Sequence, residues 1–194
     1  MLAVLAARVE HLPSPVIESG GGARESRWYA HALMTDRAQV RVLPPLIQLG
    51  MLAAGVSLRL AFPAPFLPSA AAVPVGEAVV CVAIALVLLA ARELRAARTA
   101  FDVRRPTTAL VSTGPFRVSR NPVYFSMLLL QLGLGVILNS PWMIALVIPM
   151  GSILCLAVIR PEERYLEAKF GDPYRSYQGR VGRWLRTRPT RQPA

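Results

Sequence analysis

Four apolar runs restrict this chain more than any other feature. They are "VLPPLIQLGMLAAGVSLRLAF" (Val42 to Phe62), "VGEAVVCVAIALVLLAA" (Val75 to Ala91), "PVYFSMLLLQLGLGVIL" (Pro122 to Leu138) and "PWMIALVIPMGSILCLAVI" (Pro141 to Ile159). Each approaches the roughly 17–25 residues needed to cross a hydrocarbon core of about 30 Å. In hydrocarbon a backbone must satisfy its own hydrogen bonds, so such runs are expected to be helices. The predicted fold class is all-α: an integral membrane helical bundle of about four transmembrane helices, followed by a cytoplasmic helical tail. Pro149 is expected to kink the fourth run, because it lacks an amide hydrogen and crowds the preceding turn.

Composition agrees with this reading. Hydrophobic residues make up 54% of the 194 and charged residues 17%, against about 25% charged in a soluble domain. Mean hydropathy is positive, at +0.42. The formal net charge of +11 would suggest nucleic acid in a soluble protein. Here the arginines lie in blocks between the apolar runs and no nucleic-acid motif accompanies them, so no nucleic-acid partner is expected.

The placement of charge gives an orientation. Ala61 to Pro74 carries no charge, and only Asn139 and Ser140 separate the last two runs. Arginines crowd the segment between the second and third runs, from Arg92 to Arg120, and the tail after Arg160. Basic short loops mark the cytoplasmic side. Both termini and the central loop are therefore expected inside, with the lipid bilayer as the chain's main surroundings. Arg59 and Glu77, near the outer ends of the first two runs, are expected to snorkel to the headgroups rather than to pair.

The start of the chain has a different character. Residues 1–40 include "ESGGGARES", a linker by composition, and are expected to form a flexible N-terminal extension. Met34 would suit a start just before the first run. Residues 41–194 form the membrane domain in this reading. Cys81 and Cys155 lie in apolar runs, outside any Cys/His cluster. They are expected to pack as small apolar groups, with no metal site.

Two stretches at the inner face carry unusual chemistry. In "STGPFRVSRNPVYFS" (Ser112 to Ser126), Gly114-Pro115 reads as a turn. Asn121-Pro122 reads as a helix start, with the asparagine as N-cap. Arg117, Arg120 and Tyr124 gather around that start. A helix N-terminus with nearby guanidinium groups suits an anion, while interfacial arginine and tyrosine also serve as membrane anchors. In "RPEERYLEAKFGDPYRSYQGRVGRW" (Arg160 to Trp184), Pro161 is expected to restart a helix and Gly171 to end it. Glu162 and Glu163 stand in its first turn, either as dipole partners or as a cation-holding acid pair. Anion- and cation-binding groups on one membrane face suit a zwitterionic ligand with an added positive charge, such as S-adenosylmethionine.

These residues carry a resemblance. "LVSTGPFRVSRNPVYFS", a short apolar hairpin and "EERYLEAKFGDPYRSYQGRVGRW" resemble the integral-membrane methyltransferases. That family includes isoprenylcysteine carboxyl methyltransferase and the phospholipid methyltransferases. The shared pattern is a Leu-Val-x-x-Gly stretch, an Arg-His/Asn-Pro-x-Tyr element, an acid pair and Phe-Gly-x-x-Tyr-x-x-Tyr. It makes residues 99–184 the catalytic part of a membrane methyltransferase domain. It implies S-adenosylmethionine as cofactor and methyl transfer to a small lipophilic acceptor, such as an isoprenylcysteine-type carboxylate or a lipid. Carried over by position, Thr108, Ala109, Leu110 and Val111 would line the adenosyl group and Phe116 would pack against it. Asn121, Pro122, Val123 and Tyr124 would form a wall at the start of the third run, and Glu162 would bind the cofactor's polar end, with Glu163 as the adjacent acid of the cofactor site. Arg120, Asn121 and Tyr124 are the implied catalytic residues. The implied location is a bacterial inner membrane.

Two departures narrow the resemblance. Many relatives have histidine where Asn121 stands, and only histidine titrates near neutral pH, so Asn121 is a poor general base. Eukaryotic prenylcysteine enzymes have an arginine one turn before the acid pair, where this chain has Val158. A prenylated protein is therefore a doubtful substrate. Gly133 to Gly135, "GLG", has a counterpart attributed to cofactor binding in phospholipid methyltransferases, but its place toward the outer end favours helix packing. Tyr174 and Tyr177 could equally belong to an amphipathic tail on the membrane surface. The competing class is a non-catalytic membrane scaffold or transporter subunit. Transport would call for charge at mid-depth, and the runs carry almost none.

Overall fold

The computed structural model describes residue 40, residues 42–99 and residues 107–185. The expected extension, with His11, His31 and Met34, lies outside the described residues except at Val40. All regular structure among the described residues is helical. α1 spans Pro44–Ala61 and α2 spans Ser69–Ala96. A single 3-10 turn, Gly114–Arg117, precedes α3 at Pro122–Ile137. A kinked column follows, made of α4 (Pro141–Ala145), α5 (Val147–Leu154), a π-helical turn (Cys155–Ile159) and α6 (Arg160–Phe170). α7, Asp172–Arg180, closes the described fold.

Among the described residues, three helical stretches are long and apolar enough to cross a membrane: Pro44–Ala61, Ser69–Ala96 and Pro141–Phe170. α3 is apolar but only 16 residues long, about 24 Å at 1.5 Å per residue. It is the central helix. α2 packs along it, and α1, α4 and α5 also touch it. The opposite faces of the bundle present large apolar side chains such as Leu49, Leu60, Leu88 and Ile148 to the surroundings. Such faces fit a lipid-embedded protein.

Close helix contact rests on glycine. A Cβ on Gly76 would stand 2.7 Å from Ile137 N and 2.8 Å from Gly133 O, and one on Gly133 would stand 2.7 Å from Val80 Cγ2. Gly133 of the "GLG" motif therefore seats α3 on α2, and Gly135 faces Met143 and Ile144 on α4, as small residues do between membrane helices.

Proline explains the kinked column. Pro149 cannot donate to the carbonyl four residues earlier, and the helix breaks after Ala145. Pro161 has the same defect and stands in the first turn of α6, as expected, but no break precedes that helix. The chain widens into the π turn, with Arg160 N–H donating to Cys155 O, and continues as helix to Phe170. Such a bulge relieves the proline without breaking the rod. The fourth run and the acid pair thus share one continuous column.

The two uncharged loops lock together at the far end. Asn139 Oδ1 accepts from Phe66 N and Leu67 N, each at 3.0 Å, and Asn139 Nδ2 donates to Leu67 O at 2.7 Å. Trp142 Nε1 donates to Phe62 O at 2.7 Å. Arg59 does not pair with Glu77; its Nε donates to Leu138 O at 2.6 Å. The cysteines also differ from expectation, since Cys81 is exposed and Cys155 half-buried.

Candidate functional site

The opposite end of the bundle holds a cavity of about 380 Å³. α2 contributes Leu94, and Thr99 lies just beyond that helix. The segment before α3 contributes Thr107, Ala109, Leu110, Val111 and Phe116, and the mouth of α3 adds Arg120 to Tyr124 and Met127. Glu162, Glu163 and Leu166 come from α6, Tyr174 and Tyr177 from α7, and Leu43 to Pro45 from the start of α1. Length lets α2 take part. Its 28 residues reach about 42 Å, past a hydrocarbon core of about 30 Å.

Local chemistry sets the walls. Gly114 adopts φ +55, and a Cβ there would lie 2.8 Å from Glu93 Cγ; the turn therefore needs glycine. Thr113 Oγ1 donates to Glu93 Oε2 beside it, tying the turn to α2. Gly171, at φ +56, turns the chain from α6 into α7. α7 then folds back and buries Tyr174 and Tyr177, instead of lying on the membrane surface. The Tyr177 hydroxyl donates to Phe116 O at 2.6 Å. Burial pushes both phenols above the ordinary tyrosine range, so both remain protonated donors near neutral pH.

The acid pair splits into two environments. Glu163 is buried and held by Arg183, whose Nε and Nη2 donate to Oε1 at 3.0 Å and Oε2 at 2.6 Å. This bidentate bond raises the Arg183 guanidinium further above its usual range. Arg120 Nη1 lies 3.3 Å from Glu163 Oε1. That approach lacks hydrogen-bond geometry, and Arg120 Nε and Nη1 are buried without a hydrogen-bond partner. Glu162 differs. Its Oε2 accepts from the Tyr124 hydroxyl at 2.8 Å, and among the described residues no cationic side chain pairs with it.

The asparagine at the mouth of α3 stands at the N-cap position but does not cap with its side chain. Asn121 Nδ2 donates to Arg183 O at 3.0 Å. Ser119 Oγ also donates to that carbonyl, and Arg120 N donates to Gly182 O at 3.0 Å. "Ser-Arg-Asn" thus clasps the segment that carries Arg183.

Of the residues singled out from sequence, Ala109, Leu110, Val111, Phe116, Arg120, Asn121, Pro122, Val123, Tyr124, Glu162 and Glu163 line one cavity. Thr108 stands outside its lining. Thr108 N donates to Thr99 Oγ1 at 3.0 Å and its hydroxyl donates to Arg98 O at 2.8 Å, so it braces the wall from behind. Leu94, Met127 and Leu166 were not anticipated, since each is one more apolar residue in an apolar or amphipathic run. Arg183 was missed as well, because the sequence presents it as one of many tail arginines.

No curated protein matches the chain. The family model for phospholipid methyltransferases matches residues 71–173, more than half of the 194. The matched stretch runs from the first turn of α2, through the mouth of α3 and the acid pair, to the start of α7. The chain belongs to the phospholipid methyltransferase family.

Proposed function

We propose that the protein uses S-adenosylmethionine to methylate a lipophilic acceptor at the membrane face bearing the arginines, the cytoplasmic one. One observation carries the reading. In a single cavity of about 380 Å³, the Glu162 carboxylate has no cationic partner among the described residues, and buried Arg120 atoms lack an acceptor. A zwitterion with an additional positive charge complements both. Buried polar groups left unmatched are costly, so this end is built for a charged ligand.

S-adenosylmethionine, when bound, supplies a methyl group already activated on a positive sulfur. The chain's own task is then mainly alignment, which in favourable systems lowers a barrier by about 7–11 kcal/mol. Glu162, oriented by Tyr124, holds positive charge at one side of the cavity. Arg120 presents N–H donors to a carboxylate, and the Arg183–Glu163 pair keeps that guanidinium in place. Ala109, Leu110, Val111 and Phe116 provide an apolar wall, and Asn121 to Val123 form the opposite one. Leu43 to Pro45 and Met127 make the remaining surface apolar, as a lipophilic acceptor arriving from the bilayer requires.

Among the described residues, no histidine lines the cavity. A carboxylate acceptor needs no base at neutral pH, whereas an amine must first lose a proton. This favours an acidic, thiol or otherwise easily deprotonated acceptor.

Isothermal titration of the detergent-purified chain with S-adenosylhomocysteine tests the reading, with saturable binding expected. Incubation with methyl-labelled cofactor and lipid extracts or prenyl-thiols, read by mass spectrometry, then identifies the acceptor. A folded protein that binds no S-adenosylhomocysteine would overturn the proposal.

A further inference from the structure

A second hollow lies apart from the cavity and shares no residue with it. It is a groove of about 490 Å³ on the face formed by α3, α5 and the π turn. Its sides are apolar, from Phe125 and Leu128 on α3 to Ile148 and Leu156 on the kinked column. Its floor is open at Gly151, where a Cβ would meet nothing nearer than Leu128 Cδ1 at 3.7 Å. Ile148 and Leu156 are among the most exposed large apolar residues in the fold, so the groove faces the surroundings.

One end of this apolar trench is polar. Arg160 and Trp184 line it there, where the apolar run gives way to the charged helix α6. Arg160 is exposed and has no ion-pair or hydrogen-bond partner for its guanidinium among the described residues. Arg92, Arg95, Arg98, Arg117 and Arg180 likewise show no such partner among the described residues, but of these guanidiniums Arg160 alone lines either of the two hollows. An indole and an unpaired guanidinium at the end of a lipid-facing groove sit at headgroup depth.

We infer that this groove is a binding site for an anionic glycerophospholipid. The acyl chain lies along Phe125, Leu128, Ile148 and Leu156, the phosphate meets Arg160, and the glycerol region rests against the Trp184 indole. Charge complementarity decides the occupant. A second copy of this chain inserted in the same orientation would bring its own arginine-rich end to the same depth, setting like charges together. An anionic headgroup supplies the charge that Arg160 lacks. The site is independent of the methyl-transfer reading, because neither the cavity nor its residues take part.

Tryptophan quenching by brominated lipids tests it. The full chain is reconstituted in phosphatidylcholine bilayers containing the same series of low mole fractions of brominated phosphatidylglycerol or brominated phosphatidylcholine. The Trp184 signal is the difference between the native chain and Trp184→Phe. The phosphatidylglycerol probe is expected to quench Trp184 at about fivefold lower mole fraction, the preference one basic side chain gives near anionic lipid. Arg160→Gln should abolish the preference and Arg160→Lys should retain most of it. Gly151→Leu, which fills the floor, should remove quenching by both probes. Equal quenching by the two lipids in the native chain would overturn the inference, as would no quenching by either. Both results need only the native chain and the conservative Trp184→Phe exchange, so neither depends on whether the Arg160 and Gly151 variants fold.

Discussion

The Tyr124 hydroxyl donates to Glu162 Oε2 at 2.8 Å, joining the first turn of α3 to the first turn of α6. The two residues are 38 positions apart in sequence, and this bond sets where the carboxylate points. Tyr124→Phe keeps the ring in the core beside Ile47 and Met150 and removes only the donor. A hydrogen bond to a charged group contributes about 1.5–3 kcal/mol. S-adenosylhomocysteine is therefore expected to bind Tyr124→Phe about tenfold more weakly by isothermal titration, or about 1.4 kcal/mol. Glu162→Gln removes the charge itself and should cost at least as much. A Glu162→Gln protein that is folded and binds normally would take Glu162 out of the site.

Arg183 grips Glu163 through two nitrogens, and Arg120 leans on the same carboxylate. Arg183→Ala leaves Glu163 with one poorly aligned cation. Arg183 is itself about a third exposed, at 34%, so solvent screens part of the loss. The expected destabilisation is about 1 kcal/mol. For a chain of this size that is a fall of about 3 °C in the thermal midpoint, measured by unfolding in detergent. Arg183→Lys should recover only part of it, because lysine cannot make the two-pronged bond. An unchanged midpoint in Arg183→Ala would show that the clasp contributes nothing to stability.

Asn121 gives a prediction that separates holding from chemistry. Its amide nitrogen donates to Arg183 O at 3.0 Å, a bond worth about 1 kcal/mol. Asn121→Ala should loosen the segment from Val181 to Trp184 and speed hydrogen exchange there. Asn121→His can restore a donor and should recover protection. A variant with native exchange but no methyl transfer would assign Asn121 to the reaction instead of to the clasp.

Much of this was legible in the residues, for stated reasons. Hydropathy alone marks the four runs, since length and apolarity are what a bilayer demands. The cavity lining from Ala109 to Glu163 follows from motifs whose order survives in one chain. The ends of elements were harder. α2 begins at Ser69, well before the expected Val75, because the helix runs through Pro74, which forgoes one bond to the carbonyl four residues earlier without ending it. The continuous column through Pro161 was hidden, since sequence shows a proline but not the π turn that absorbs it. Arg183 could not be told from its neighbours. Its role depends on Gly171 folding α7 back, which brings the tail under Glu163.

The far end of the bundle supports a control that isolates packing from the site. Gly76 and Gly133 face each other across α2 and α3, and a Cβ on Gly76 would lie 2.7 Å from Ile137 N and 2.8 Å from Gly133 O. Those neighbours are backbone atoms, which cannot rotate away as a side-chain tip can. Gly76→Ala must therefore push the helices apart, and overpacking of this kind costs about 1–3 kcal/mol. The expected result is a thermal midpoint lowered by about 3–9 °C, with the remaining folded protein binding S-adenosylhomocysteine as tightly as the native chain. Gly133→Ala should be milder, because its backbone neighbours, Gly76 O and Val80 N, stand farther off at 3.0 Å and its nearest obstacle is the Val80 Cγ2 methyl at 2.7 Å. If Gly133→Ala instead weakened ligand binding without lowering the midpoint, the motif would have to be assigned to the ligand and not to the seam between α2 and α3.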